Sequence, residues 1–240
     1  MIIAEIGLNH KGQRHIVDEY IRKLLATNVD AITLQVRESE YYDLKPELKL
    51  LPNDYIVISS KISNSDKKFG IAIADIDQID FFESIDVDFY KVIRNDMLND
   101  DLIKKLINTN KKIIVSTGTC SHQEIRTFVN KYKTNNIVLN HTQLSYNIND
   151  CNLSAINLLK SEFGIDISYG SHCSNHNVLY MALAYEPSDI LFYVKGQIGT
   201  YPDDKHAISI HNVYDVVNNL KSLSQAIGSS IKSKMEIKIK

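Results

Sequence analysis

Short apolar runs rich in β-branched residues recur along the chain at intervals of roughly 20–35 residues, each followed by a stretch with helical spacing. The runs are Ile2–Leu8, Ala31–Val36, Phe69–Ile76, Phe89–Ile93, Lys112–Thr117, Ile137–Thr142, Asp166–Ser171 and Asp189–Lys195. Most are apolar at successive positions, as strands covered on both faces of a parallel sheet must be. Between the first two, Ile16, Val17, Tyr20, Ile21, Leu24 and Leu25 fall on one stripe of a helix over Ile16–Ala26. The helix after the fifth run opens Ser121-His122-Gln123-Glu124, where the Ser121 hydroxyl can accept from the Glu124 amide while the Glu124 side chain reaches back. Eight strand-helix units in 240 residues average about thirty each, close to a minimal (β/α)8 barrel. A doubly wound sheet would have fewer strands and a glycine-rich first turn. The pattern therefore predicts an α/β fold, a single TIM barrel over residues 1–228, with a tail, 229–240, that is a peripheral strand or a frayed end.

Composition narrows the setting. With 44% hydrophobic and 23% charged residues, neither disorder nor a fibrous repeat fits. Twenty-seven basic against 29 acidic residues leave a net charge of −2, which argues against nucleic acid or an anionic membrane as the main partner and for a small ligand. Cys120, Cys151 and Cys173 are an odd number with no C-x-x-C spacing, so a reduced compartment is expected and no zinc site is implied. The opening Met-Ile-Ile-Ala-Glu meets a charge at Glu5 before an apolar core could reach signal-peptide length, and no apolar run nears 18 residues. A cytoplasmic protein is expected.

In a barrel the carboxyl ends of the strands share one mouth, and here those ends are polar. The first carries Glu5, Asn9 and His10, the second Gln35 and Arg37, the third Asp75 and Asp77, and the fourth Lys91 and Arg94. The fifth ends in Ser116-Thr117-Gly118-Thr119, the sixth in Asn140, His141, Thr142 and Gln143, the seventh in Ser171 and His172, and the eighth in Lys195 and Gln197. Such a mouth suits a polyhydroxylated anion. Glu5 and Lys91 each interrupt an apolar run, and burying either charge costs several kcal/mol unless it is paired, with the other or with a ligand. Ser116-Thr117-Gly118 ahead of a helix offers amides and hydroxyls to a phosphate or carboxylate, although such turns are also ordinary punctuation. His15, His122 and His211 read as packing residues, whereas His10 and His172 gain from lying at strand ends. The long connection from Arg37 to about Asn53 leaves the second strand at the mouth, either as a substrate cover or as a solvated loop.

Taken in order, these strand ends resemble those of the sialic acid synthase family, the phosphoenolpyruvate-dependent synthases of N-acetylneuraminate and other nonulosonic acids. Ala4-Glu5-Ile6-Gly7-Leu8-Asn9-His10-Lys11-Gly12 is similar to that family's A-E-I-G-x-N-H-x-G, the most specific match. Asp30-Ala31-Ile32-Thr33-Leu34-Gln35 resembles D-A-V-K-F-Q, Tyr90-Lys91-Val92 resembles Y-K-I, and Ile114-Val115-Ser116-Thr117-Gly118 resembles I-L-S-T-G. Tyr169-Gly170-Ser171-His172 is similar to Y-S-D-H and His206-Ala207-Ile208-Ser209 to H-x-x-S. The resemblance implies a (β/α)8 barrel in which phosphoenolpyruvate condenses with an aldose such as an N-acetylhexosamine to give a 2-keto-3-deoxy sugar acid. It implies that residues matching Glu5 and Gln35 orient the sugar, that those matching Lys91 and Ser116 hold phosphoenolpyruvate, and that a divalent metal, Mn2+ or Mg2+, activates the aldehyde. Glu5, Lys91 and His172 are thus the expected catalytic residues. Asn9, His10, Gln35, Arg94, Ser116, Thr117, Thr142, Gln143, Ser171, Lys195, His206 and Ser209 are the expected substrate contacts.

The sequence also departs from the family. Its lysine in K-F-Q is Thr33 here, the serine after Y-K-I-A is Arg94, and the serine and aspartate of Y-S-D-H are Gly170 and Ser171. Where the family reads I-E-K-H, this chain has Tyr193-Val194-Lys195-Gly196, so Gly196 replaces the second metal ligand and His172 is left, with His206, His176 or His10 as candidates to substitute; a metal held by one imidazole plus waters would be weak. The family's carboxy-terminal antifreeze-like domain, which helps form the dimer and lends an arginine to the neighbouring site, has no counterpart in this sequence. A homodimer or a partner chain supplying that domain is the assembly expected. Three readings follow: a divergent synthase in which Arg94 takes over as anion clamp, a lysine-dependent pyruvate aldolase using Lys91 or Lys195, and a catalytically silent barrel binding a sugar or a partner protein.

Overall fold

The computed structural model describes residues 1–94, 96–132 and 134–232. In chain order the elements are β1 (Ile2–Gly7), α1 (Arg14–Leu25), β2 (Ala31–Val36), α2 (Ser39–Leu44), α3 (Pro52–Ser63), β3 (Lys68–Ile73), α4 (Ile79–Ser84), β4 (Phe89–Val92), α5 (Asp100–Ile107), β5 (Lys112–Ser116), α6 (His122–Lys131), β6 (Ile137–Thr142), α7 (Ala155–Phe163), β7 (Ile167–Gly170), α8 (Asn177–Ala182), β8 (Ile190–Lys195), β9 (Ile208–Ser209) and α9 (Val213–Ile227). Strands β1 to β8 pair in parallel with their sequence neighbours, and β8 pairs back onto β1 at Ile2↔Ile190 through Glu5↔Tyr193. That closing contact makes the sheet a (β/α)8 barrel, as the alternation predicts. No helix of the described residues is long and apolar enough to cross a membrane.

Differences from the sequence reading are local. The third run stops at Ile73, because Ile76 opens a 3-10 turn whose second amide, the Asp77 N–H, donates to the Asp75 side chain at 3.0 Å. Strand β9 was not expected; two residues are too few to show a period, and they are held by pairing Val194↔Ile208 and Lys195↔Ser209. The connection after β2 is ordered rather than a plain solvated loop: it contains α2 and a 3-10 turn over Pro46–Leu48, and Tyr42 and Leu48 pack on Leu8. The Ser121–Glu124 capping box forms as expected, the Glu124 amide donating to Ser121 Oγ at 3.3 Å and the Ser121 amide to Glu124 Oε2 at 2.7 Å. Of the predicted tail, residues 229–232 are exposed and 233–240 lie outside the described residues.

The pleat sorts each strand into two faces. Ile3, Ala31, Phe89, Ile114, Val138 and Leu191 form a separate apolar cluster, the floor inside the barrel. Counting by two from them puts Glu5, Thr33, Gln35, Lys91, Ser116, Asn140, Thr142, Tyr193 and Lys195 on the inner face. The residues between, among them Ile6, Leu34, Tyr90, Val92, Val115, Leu139 and Val194, pack outward in the main core against the helices. Phe89 fills the centre only because Gly70 on the neighbouring strand has no side chain: a Cβ there would lie 2.3 Å from the ring. Beneath the floor, Asp189 is 1% exposed and is paired with Lys112 at 2.6 Å and the amino terminus at 3.0 Å.

Gly70→Ala is expected to lower unfolding stability by about 1–3 kcal/mol, the cost of overpacking a filled core, read as a lower denaturant midpoint at unchanged slope. An unchanged midpoint would show that Phe89 can move aside.

Candidate functional site

The inner face just above the floor is charged. Glu5 is fully buried and Lys91 is 3% exposed; the Lys91 ammonium donates to Glu5 Oε2 across the barrel. Both strands are otherwise apolar, so each charge is tolerable only because of the other. The second oxygen, Glu5 Oε1, has no hydrogen-bond partner, and neither does Thr33 Oγ1 beside it in the β1–β2 register. The Tyr193 hydroxyl lies 3.5 Å from Lys91 Nζ, and the ammonium sits 5.2 Å from the centre of its ring. Burial, with Glu5 adding to it, pushes the Tyr193 phenol well above its ordinary pKa.

Above this pair lies a stack of rings. His172 and His206 are 4.7 Å apart between ring centres, Tyr193 meets His206 edge-on at 4.7 Å, and Tyr146 stacks on the far side of His206 at 5.7 Å. His172 Nδ1 is hydrogen-bonded to the Thr142 hydroxyl at 3.0 Å, and His206 keeps both ring nitrogens without a partner. His206 comes from the segment between β8 and β9, which Asn9 holds in place. Asn9 Nδ2 donates to the Val194 carbonyl at 2.7 Å, and its Oδ1 accepts from the Asp203 amide at 3.0 Å. Asp203 thereby reaches the mouth beside Glu5. Burial first and the Glu5 charge second raise its carboxyl to about 7, against the opposing pull of Lys91. Desolvation lowers His172 to about 3 and His206 to about 4, with the Lys91 charge contributing to both.

The structure brings together most, not all, of the residues singled out by sequence. Glu5, Gln35, Lys91, Ser116, Thr142 and Lys195 lie on inner-face positions, His172 and His206 meet above them, and Ser209 pairs with Lys195 in the β8–β9 register. Asn9 works through its backbone clamps. His10 is fully buried in the turn after β1, its Nδ1 accepting from the Gly12 amide at 2.9 Å. The Thr117 hydroxyl is engaged by the Asn140 carbonyl at 3.0 Å. Ser171 falls on the outer parity of β7, beside Tyr169, and Gln143 follows the inward Thr142. Arg94 lies beyond β4 at φ 52° and is paired with Glu38 and, at 3.2 Å, Asp96, so its charge is already neutralised by carboxylates. The sequence reading missed Tyr193, Asp203 and Tyr146. Tyr193 was legible as the residue two positions after the inward Leu191; Asp203 and Tyr146 sit on loops, where no period marks them.

A divalent metal can be tested against the donors. Gly196 does not mark the position facing the mouth: a Cβ there would lie 2.1 Å from the Tyr201 hydroxyl and 3.2 Å from the Tyr20 hydroxyl. The β8 residue on the inner face is Lys195. Among the described residues no three His, Cys, Asp or Glu side chains converge as a metal-holding group. Lys91 takes Glu5 Oε2 and Thr142 takes His172 Nδ1, so the donors left without a hydrogen bond are Glu5 Oε1 and the His206 nitrogens, with Asp203 Oδ1 3.9 Å from His206 Nε2. This donor set does not fit a divalent metal.

A closed parallel barrel with a buried ion pair and imidazoles at its carboxyl-end mouth is the architecture of TIM-barrel enzymes, whose active sites lie at that face. Within that class, the NeuB family matches residues 9–232, and the chain belongs to it. An uncharacterized protein of Methanocaldococcus jannaschii is 29% identical over 98% of this chain and 74% of its own length. N,N'-diacetyllegionaminic acid synthase of Campylobacter jejuni is 25% identical over 97% of this chain and 78% of its own length. Among solved structures, the N-acetylneuraminic acid synthetase of Leptospira borgpetersenii superposes with a TM-score of 0.88 at 23% identity, covering 98% of this chain and 87% of that one. This last likeness shows the fold.

The histidines set a stability profile. His10, His172 and His206, depressed to about 4, 3 and 4, refuse in the folded state the protons that the unfolded chain accepts near 6.5. Acidification from about 6.5 toward 4 therefore favours unfolding at all three. Asp203, raised to about 7, acts oppositely, since the fold binds its proton first. His141 and His176 are lowered by burial as well, and together the imidazoles give a melting temperature that falls between pH 6.5 and 4, with a shallower fall in His172→Asn. A flat profile would show that these imidazoles are not desolvated.

Proposed function

We propose that this chain condenses phosphoenolpyruvate with an aldose of the N-acetylhexosamine type, giving a 2-keto-3-deoxy sugar acid as in nonulosonic acid biosynthesis. The observation that carries the reading is the Glu5–Lys91 pair on the inner wall of the mouth, with Glu5 Oε1 and Thr33 Oγ1 left without partners. Buried polar atoms without partners cost about 1–3 kcal/mol each, and a hydroxylated substrate would satisfy them. The family and the named legionaminic acid synthase support the same chemistry.

In this reading residues 1–228 form the catalytic barrel. Lys91 faces the carboxylate of phosphoenolpyruvate, and Ser116 with the amides ahead of α6 faces its phosphate. Glu5, Gln35, Thr142 and Ser209 take hydroxyls of the sugar. The third carbon of the enolpyruvyl group bonds to the aldehyde carbon, and the aldehyde oxygen takes a proton from the Asp203 carboxyl. Water adds to the second carbon and returns one proton to Asp203; the bond from that carbon to the phosphate oxygen then breaks, phosphate leaves with the electron pair, and the new hydroxyl gives its remaining proton to the departing phosphate as the keto group forms. Lys91 is held in an ion pair with Glu5, which opposes the free amine that the Schiff base of a pyruvate aldolase needs.

Calorimetric titration with phosphoenolpyruvate tests the reading. Wild type is expected to bind it in preference to pyruvate, and Ser116→Ala to bind it about 10-fold more weakly, one hydrogen bond to a charged group. Lys91→Ala should abolish binding and turnover; because it strands Glu5, the double variant Glu5→Gln/Lys91→Met is the folded control. No binding by wild type would leave the silent barrel. As pH rises through about 7, the value to which burial raises Asp203, a second negative charge appears beside Glu5. Phosphoenolpyruvate affinity should then fall, and less so in Asp203→Asn.

A further inference from the structure

Building on the condensation reading, we propose that Lys195 replaces the carbonyl-activating metal: its ammonium, carried into the mouth on the inner face of β8, holds the acceptor aldehyde oxygen as negative charge develops there. Three observations converge on it.

The first is strand parity. Leu191 belongs to the floor inside the barrel and Tyr193 touches Lys91, while Phe192 and Val194 pack outward in the main core. Position 195 therefore faces the mouth. The short strand β9 repeats the assignment, since Ile208, paired with Val194, is in the outer core and Ser209 is paired with Lys195. A Cβ at position 196 would meet the Tyr201 and Tyr20 hydroxyls, so a side chain there is admitted only if Tyr201 moves aside.

The second is charge. Lys91 and Lys195 both act on the His206 ring, each depressing its pKa, so two ammoniums border the space above the Glu5–Lys91 pair. A divalent cation entering there would meet two ammoniums, with Glu5 already paired to Lys91 and Asp204 to Lys195, and the one further carboxylate, Asp203, holds its proton up to about pH 7. The surroundings suit a growing oxyanion, not a metal ion.

The third is availability. The Lys195 ammonium donates to the Asp204 carbonyl and to Asp204 Oδ1 at 2.8 Å, and the Asp204 side chain is 48% exposed. An exposed ion pair of this kind is weak, so a substrate oxygen can displace it. Lys91, sealed beneath by Glu5, cannot move in the same way. An ammonium aimed at a developing alkoxide supplies the same electrostatic stabilisation as any oxyanion donor. The alkoxide then takes its proton from Asp203 as described above, so Lys195 ends the cycle as it began.

The test uses the full chain, Mn2+ and N-acetylmannosamine. Titrated with Mn2+ and followed by electron paramagnetic resonance, wild type is expected to show no one-to-one site, and its condensation of phosphoenolpyruvate with N-acetylmannosamine to be unchanged by a chelator. Lys195→Met should lose on the order of 10²–10³-fold in kcat while binding phosphoenolpyruvate as wild type does, and Lys195→Arg should recover part of the loss. Lys195→His, placing a third imidazole beside His172 and His206, should create a one-to-one Mn2+ site. A stoichiometric Mn2+ site in wild type that is lost in His172→Ala, or full turnover in Lys195→Met, overturns the proposal. Absence of phosphoenolpyruvate binding in wild type instead overturns the condensation reading, while the Mn2+ titrations still decide which cation the mouth holds.

Discussion

The ion pair between Glu5 and Lys91 is the constraint around which the upper half of the barrel is arranged. It joins β1 to β4, strands that are not neighbours, so it spans the lumen instead of running along a sheet edge. Below it the lumen is filled by apolar side chains whose packing has no orientation to defend. Above it the lining turns polar and aromatic, and its nearest members adjoin the pair. Tyr193 turns its hydroxyl toward Lys91, Thr33 stands beside Glu5, and burial first and the Glu5 charge second hold the Asp203 proton. Breaking such a pair by removing one member costs about 3–5 kcal/mol, which binds fold and site into one device.

Asn9 transmits that arrangement to the loop between β8 and β9. A single amide side chain fixes the end of β8 through Val194 and the loop through the Asp203 backbone. His206 rests on this loop, and its carbonyl accepts from His176 Nε2 at 3.2 Å. The ring stack is thus held from below by β1 and from the side by the turn ahead of α8. An asparagine here does what no apolar residue of its size could do, satisfying one donor and one acceptor at once.

The barrel was legible because its signal is repeated: eight runs at one spacing, each readable alone and consistent with the rest. The buried pair was legible for a different reason, since Glu5 and Lys91 are charges in apolar surroundings and demand an explanation. What escaped was information carried by loops and by parity. Arg94 read as an anion clamp from its place in the chain, yet a turn at φ 52° delivers it to Glu38 and Asp96. Ser171 and Thr117 each miss the mouth by one position of a two-residue period. The same one-residue difference moved attention to Gly196 when Lys195 was the residue facing inward. Asp203 carried no mark at all, because its altered acidity arises from burial by residues far away in sequence.

Phe89, seated over Gly70 in the lumen, has a consequence for the order of events. With Ile3, Ala31, Ile114, Val138 and Leu191 around it, it stoppers the lower end of the barrel, so a molecule reaching Lys91 has one way in and the same way out. Two guests lodged at different depths must queue. The deeper one arrives first and departs last, and a guest already at the rim bars the way to the deeper place.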